Sequence, residues 1–575
     1  MRFASLFFLL FVPIASFADV VVHNSTELAD LLKTDKEYGS ILLDNDVFSF
    51  EDLVVKAGVT IHPAKGRHPV FLGKYTEFIQ GDNNQVGNGY WRVKVKENSK
   101  RNFYLLDENF NSIPISMAVQ GNKNIRIKYG DFEKLDEKTR TIRIKIGQKY
   151  RELLHKSKNY YKNCTLKMTY WYVAFDVVDL YSDGVYLYGT VPSDYHYRML
   201  LHKYQFDTFL TFYNYPISAK SAFIDGNDYL NIPNEYNKVF FSRSTAILRL
   251  VGNRSVTLDG ITFKGSDRPV WIEKGRNKHI VNCHFTECGL GVYANNGNHN
   301  FDTSSEVANC EFKDIYSNTC LNFVGMDNVV IRNNTFRRTG IINKGGNVIY
   351  VSGQGFEVYG NNIQDFSYIG IRVSSVVEPN IMKVSGIVRD NVIDNSAQYG
   401  HAETQLIDGG AIYVKTHNDK TVISGNLIRN IGFEHGSERG IYLDDGAYNC
   451  KVLYNVIYNI YPNERAIYSR LVKGYKFHNM NNEFIGNICV GRCEMQGHTG
   501  REGEKAVIKN NYFDRELVTN QKFNKEFRGN HEIIVEVKAD GKLYIDKEVK
   551  IPLRSYSRSL RLYFNNSVSI RKGTL

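Results

Sequence analysis

The stretch "GIYLDDG", residues 440–446, sets two adjacent carboxylates, Asp444 and Asp445, at the end of a short apolar run. Twenty-nine residues earlier the chain reads "AIYVKTH", and twenty-six residues later "AIYSRL". Paired acids suit proton transfer coupled to attack: one carboxyl gives a proton while the other attacks or activates water. The neighbourhood carries more of the same chemistry. His401, Glu403, Asp408, Lys415, His417, Glu434, His435, Glu438, Arg439, Asp444 and Asp445 crowd into one stretch, a density unmatched elsewhere in the chain.

What positions these groups is a repeat. From residue 255 the phrases "VTLDGITF", "HIVNCHF", "VANCEF", "VIRNNTF", "EVYGNNI", "GIVRDNVI", "VISGNLI", "VLYNVI" and "VIKNNYF" recur. Their last apolar residues are Phe263, Phe285, Phe312, Phe336, Ile363, Ile393, Ile428, Ile457 and Phe513, spaced 22, 27, 24, 27, 30, 35, 29 and 56. The last step is two turns, with "FIGNIC" between them. A period in the twenties with tolerated insertions marks a solenoid. Alternating apolar and polar residues give the rhythm of strands. Asn or Gly before the anchors supplies left-handed turns, and stacked Asn side chains can form a hydrogen-bonded ladder. Cys283 and Cys310 occupy matching places as stacked core residues. The fold class is therefore all-β: a right-handed parallel β-helix.

A second column fixes the register. "PVWIEK", "GVYANN", "VIYVSG", "GIRVSS", "AIYVKT", "GIYLDD" and "AIYSRL" align without gaps. Second and fourth residues point inward, so Trp271, Tyr293, Tyr350, Arg372, Tyr413, Tyr442 and Tyr468 should face water. Lys415, Asp444 and Arg470 are each fifth, and coils lie about 4.8 Å apart, giving one column of alternating charge. That column is either an ion ladder on an outer face, worth little, or part of a groove for a sugar chain. The longest steps fall between Ile363 and Ile428, and insertions in a solenoid become loops, where function concentrates.

At these residues the sequence resembles the β-helix glycoside hydrolases of family 141. The motif "DGGAIY", followed about one coil later by "GIYLDDG", is similar to that family's two motifs, although Gly409 stands where Thr is frequent. The resemblance implies a non-helical insertion ahead of the repeats and action on glycosidic bonds. It assigns the catalytic pair to Asp408 and Asp444, with Asp445 beside them. Tyr413, Lys415, His417, His435, Glu438, Arg439, Tyr442 and Arg470 are then the candidates for substrate binding. The register raises a difficulty, because a straight strand would separate the levels of Asp408 and Asp444 by roughly 23 Å at about 3.3 Å per residue. Pairing them requires a sharp bend at Gly409–Gly410; without it the partner acid is Glu438, Glu403 or Asp445. A polysaccharide lyase is the competing reading, with Lys415 as base, Arg470 as acid and calcium on oxygen ligands. A third is a glycan-binding β-helix without catalysis.

Composition bounds the rest. Residues 1–18 read as a secretory signal, and no Cys near its end suggests a lipid anchor, so the protein is expected to be secreted or periplasmic. Eight cysteines in 575 residues do not make a disulfide scaffold, and no spacing suggests a structural metal; no cofactor is expected for a hydrolase. The net charge of +11 is scattered, without a nucleic-acid signature. The partner is a polysaccharide or oligosaccharide, the chain has no membrane span, and it is expected to act as a monomer. Its parts divide as first coils with an N-terminal cap (19–89), a β-rich insertion (90–245), the β-helix core (246–519) and a β-rich C-terminal cap (520–575).

Overall fold

The computed structural model describes residues 19–570 apart from 82–84, 87–88, 96–101, 116, 119–124, 128–131, 155–156, 171–172, 201–207, 215–220, 274, 298, 344, 375–383, 397–406, 416–419, 433–436, 445–446, 462–464, 470–480, 496–505, 516, 519–523, 534, 538–542 and 546–550. The signal segment lies outside the described residues. Three long parallel sheets of 14, 13 and 12 strands among the described residues wind around one apolar interior. In one coil the first sheet holds Thr421–Ser424, the second Leu427–Ile431 and the third Ser437–Leu443. Between residues 255 and 515 the described residues contain no helix.

The anchors stack in register on the second sheet. Phe71, Phe263, Phe285, Phe312, Phe336, Ile363, Ile393, Ile428, Ile457, Cys489 and Phe513 pair in sequence, so the 56-residue step is two turns through Cys489. Phe263, Phe285, Phe312 and Phe336 stack with centroids 4.7–4.9 Å apart. Three residues before each anchor the backbone turns left-handed, as at Asn282, Asn309, Asn333, Gly360, Asp390 and Gly425. That turn closes the short corner between first and second sheets and is cheapest for Gly, Asn and Asp.

Behind this corner runs a buried amide column. Asn334, Asn361, Asn391, Asn426, Asn455, Asn487, Asn511 and Asn530 stand one above the next. In each step the side-chain oxygen accepts from both the backbone N–H and the side-chain amide of the coil before, as at Asn391 Nδ2 to Asn426 Oδ1, 3.0 Å. The remaining amide hydrogen goes to a backbone carbonyl, here Val358 O at 3.0 Å. Toward the N-terminus Cys310 and Cys283 continue the column, Cys310 N–H donating to Asn334 Oδ1 at 2.9 Å. Every cysteine in the chain is buried and reduced.

The coils begin before the insertion. Asn24 caps a helix, Ser25–Leu32, whose Leu28 and Leu32 close the apolar interior at the N-terminal end. Strands Leu53–Val55, Gly58–Pro63 and Val70–Gly73 then pair directly with Leu248–Val251, Val256–Asp259 and Thr262–Lys264. The excursion between them starts at Tyr75–Ile79, which pairs antiparallel with Lys238–Ser242, rather than at residue 90. It has its own antiparallel sheets and apolar clusters. It lies against the second sheet, where Tyr104 donates to Asp267 Oδ1 (2.7 Å) and the Ser112 N–H donates to Glu287 Oε1 (3.1 Å).

The C-terminal end also differs from expectation. Coils continue past 519 through Asn524–Arg528 and His531–Glu532. The cap contains a helix, Arg558–Ser567, beside a three-stranded sheet. It does not merely close the last coil. Leu560 and Phe564 pack on Leu427, Val456, Ile488 and Tyr512, along the outer side of the second sheet.

Two outcomes follow from these contacts. Asn391→Ala leaves the Asn361 backbone and amide donors and the Val358 carbonyl unmet inside the protein, at about 1–3 kcal/mol for each unsatisfied group. Denaturant unfolding should show a far larger loss there than for Asn530→Ala at the half-buried end of the column. Burial raises the pKa of both Asp267 and Glu287 above the ordinary carboxylate range. A raised folded value means their contribution is complete below that range and is lost as pH rises through the raised values. Exchange protection of the Tyr104–Asp107 amides, with the intrinsic pH dependence divided out, should therefore fall from about pH 4 toward neutrality, less steeply in Asp267→Asn.

Candidate functional site

The third sheet carries the site. Its strands Ile369–Ser374, Ile407–Lys415, Ser437–Leu443, Arg465–Ser469 and Arg492–Met495 are parallel neighbours. Ile412, Ile441 and Ile467 align, with Val414 over Leu443, and all are fully buried in the solenoid interior. Where a copy begins with glycine, a side chain would not fit. A Cβ on Gly440 would fall 2.4 Å from Ala466 O, and one on Gly370 2.6 Å from Ala411 O.

The outer column runs in register as Arg249, Trp271, Tyr293, Asn322, Tyr350, Arg372, Tyr413, Tyr442, Tyr468 and Glu494. Asn322, Arg249 and Glu494 escaped the sequence alignment because their copies lack the small-apolar-aromatic phrase. Three of these tyrosines point outward but do not face water. Tyr413, Tyr442 and Tyr468 are buried in a cluster with Tyr368 and Ile369. Arginines fill the layer between the rings: Arg372 lies over Tyr350 and Tyr413, and Arg439 over Tyr442 (4.5 Å) and Tyr468 (5.0 Å). Arg465 lies over Tyr468 and pairs with Glu494 at 2.8 Å. Such stacking is worth up to about 2 kcal/mol per contact once desolvated.

Asp444 is the focus of this layer. Its backbone N–H donates to Val414 O and its carbonyl accepts from Ala447 N–H, both at 2.9 Å, so the chain leaves the strand in a tight turn. Tyr413 Oη donates to Asp444 Oδ2 at 2.5 Å and Tyr442 Oη to Oδ1 at 2.6 Å. Lys415 Nζ stands 3.5 Å from Oδ2. Donors at both oxygens and a nearby ammonium suit the ionised form of a carboxylate, which is acceptor-only. Burying that charge to 6% exposure would cost several kcal/mol without these donors. The Lys415 side chain, 30% exposed, marks where the cluster opens to solvent.

Two of the candidates for substrate binding are buried. Glu438 is fully buried at the corner between second and third sheets, where Ser396 Oγ donates to its Oε2 (2.6 Å) and the Gly432 N–H donates to that same hydroxyl (2.8 Å). Arg439, 8% exposed, is a spacer between tyrosine rings. Tyr413 and Tyr442 likewise hold Asp444 through their hydroxyls.

At Gly409–Gly410, where pairing Asp408 with Asp444 requires a sharp bend, the strand carries a register shift. Ile407–Lys415 is one continuous strand, and Ile407 pairs with Ser437 while Gly410 pairs with Arg439, a one-residue bulge. Gly409 is needed for another reason: a Cβ there would meet the Tyr368 ring at 2.5 Å. The backbone of Asp408 thus stays near the level of Glu438, about 20 Å along the strand from Asp444 at about 3.3 Å per residue. Its side chain lies outside the described residues. So do Asp445, His417, His435 and Arg470, together with His401, Glu403 and Glu434.

A family model described as "Right handed beta helix region" matches residues 270–432, the coils that lead into this site. The chain is a right-handed parallel β-helix. No curated protein sequence matches it. Among solved structures, one described as "Glycoside hydrolase" is 12% identical, with a TM-score of 0.49 over 86% of this chain and 89% of its own. A mannuronan C-5 epimerase A-module from Azotobacter vinelandii is 14% identical (TM-score 0.30; 51% of this chain, 78% of its own). A lacto-N-biosidase from Eubacterium ramulus is 13% identical (TM-score 0.30; 50% and 60%). No helix among the described residues is long and apolar enough to cross a membrane.

The tyrosine clasp is testable by a double-mutant cycle. Tyr442→Phe should lower stability by about 1.5–3 kcal/mol, the range for hydrogen bonds to charged groups. In an Asp444→Asn background the same change should cost much less. Equal costs in the two backgrounds would show that the hydroxyl does not hold the carboxylate.

Proposed function

We propose that the protein is an exported glycoside hydrolase whose charged catalytic carboxylate is Asp444. The observation that carries this reading is the clasp itself: an ionised carboxylate, fixed by two phenols and a lysine, at the open edge of a β-helix face. These donors favour the ionised form, which has no proton to give, so Asp444 takes the nucleophile or base role at the anomeric carbon. The proton for the leaving oxygen comes from a second carboxyl, within about 5–5.5 Å for retention or about 6.5–9.5 Å for inversion. Asp445 is the next residue in the chain after Asp444, whereas the Asp408 backbone pairs near the level of Glu438, so Asp445 is the acid we assign. The similarity of "DGGAIY" and "GIYLDDG" to the family 141 motifs supports the substrate class, a fucoside- or xylan-type glycan.

One observation favours the second reading, a polysaccharide lyase. Lys415 stands beside Asp444 with tyrosine hydroxyls at hand, a set that could abstract a proton next to a uronate. Product chemistry separates the two: hydrolysis leaves new reducing ends and saturated sugars, elimination an unsaturated uronate.

Asp444→Asn is expected to lower turnover by about 10²–10⁴ with the fold intact. Asp445→Asn should fall in the same range and Asp408→Asn should not, with activity on a glycan panel unaffected by calcium chelation. Unsaturated products, lost together with activity in Lys415→Ala, would transfer the assignment to the lyase.

A further inference from the structure

Among the described residues, the outer side of the second sheet is covered at both ends and open between them. Over the early coils the excursion lies on it, with Tyr104 stacked on Tyr316 and Lys264 Nζ donating to Phe110 O. Over the late coils the C-terminal helix lies on it, Tyr563 bonding Tyr458 Oη at 2.6 Å. Between these two walls the strands Asn362–Phe366, Val392–Ser396 and Leu427–Ile431 floor a hollow of about 440 Å³, lined by Gln364, Asp365, Asp394, Asn395 and Asn430. That volume lies within the usual range for small-molecule sites, about 300–1,000 Å³.

The lining is built by backbone geometry. Asp365, Asn395 and Asn430 each stand two residues after an anchor and take a left-handed conformation, φ 54°, 64° and 54°. Their side chains therefore form a second polar column beside Gln364, Asp394 and Arg429, which pair in register. Asp394 is fixed: Arg429 Nε and Nη2 reach its Oδ2 at 2.9 and 2.8 Å, and Asn430 Nδ2 donates to Oδ1 at 2.6 Å. Asn395 Nδ2 donates to Asp365 Oδ1. Among the described residues the second Asp365 oxygen, the Asn395 carbonyl and the Gln364 amide take no hydrogen bond.

We propose that this hollow is a non-catalytic subsite for a neutral saccharide, holding a remote part of the glycan chain acted on at Asp444. The inference rests on the carbohydrate reading above. Its chemistry follows from what is left unused: acceptors that match sugar hydroxyls, and a planar amide able to give and accept. A uronate or nucleic acid would meet the uncompensated Asp365 charge. Calcium takes six to eight oxygens, whereas here Arg429 balances Asp394 and amide nitrogens point at both carboxylates. The hollow sits on the same coils as the third-sheet strands Ile369–Ser374, Ile407–Lys415 and Ser437–Leu443, so a bound polymer gains effective concentration at the site.

The test uses Asp365→Gly/Asn395→Gly/Asn430→Gly, because glycine keeps the left-handed backbone without strain. It is made in the full chain and also in Asp444→Asn, with an unchanged thermal midpoint confirming the fold. Affinity electrophoresis in neutral polysaccharides such as xylan should show binding weakened by about tenfold or more, with turnover of short aryl glycosides unchanged. Equal retardation of parent and triple variant in every neutral glycan overturns the proposal. So does a calcium-binding isotherm that disappears in the triple variant. Weakened retardation in the triple variant supports it even if Asp444→Asn leaves turnover intact, a result that would sink only the catalytic assignment.

Discussion

The buried asparagine column is the interaction on which the other columns depend. A parallel sheet alone specifies register weakly, since slipping one coil by two residues keeps every side chain on its face. An amide with one defined neighbour above and one below removes that freedom. Asn334 through Asn530 tie each coil to the next at one corner, and both backbone and side-chain donors use the same oxygen. Losing the amide in one coil orphans groups in the coil before it. With the corner fixed, the anchors of the second sheet and the outer tyrosines of the third must align as well. The site geometry is a consequence of a corner on the opposite part of the coil.

Much of this was legible in the chain. Phe285, Phe312 and Phe336, the Asn runs, the Cys283–Cys310 pair and the Tyr413–Tyr442–Tyr468 column all depend on spacing, and spacing survives into structure. What spacing cannot carry is cover. Outward residues look exposed until Tyr368, from the turn before its strand, and Arg372 and Arg439 are laid over them. Glycine pairs are equally ambiguous. Gly409 reads as a hinge, yet it also serves the close approach of the Tyr368 ring at a shift in strand register. The terminal helix had a signal, Leu560 and Phe564 four apart, that a search for strands passes over.

The tyrosine–arginine layer also explains why the paired acids occur in one copy only. Arg372, Arg439 and Arg465 bring positive charge onto a face that is largely shut off from water. Such a layer accepts a carboxylate where the strand ends and two phenols can reach it. Before the turn the same column position faces rings, and after it the chain has left the sheet. Asp444 stands at that boundary, with its backbone still bonded to Val414 and its carbonyl already closing the turn onto Ala447.

The left-handed residues on the second sheet complete the logic. A residue such as Asn395 costs backbone energy that an extended residue would not, about 1–2 kcal/mol for a side chain without local compensation. The coils accept that cost at Glu287, Asp314, Arg338, Asp365, Asn395, Asn430 and Asn459, one per turn. The bend it makes lets residues three apart, such as Phe312 and Ile315 or Ile428 and Ile431, both point inward. The polar side chain thrown outward at each bend is then a by-product of interior packing. Where the excursion and the terminal helix cover those by-products, they become interface groups such as Glu287. Where neither reaches, the same geometry leaves an ordered row of amides and carboxylates facing solvent.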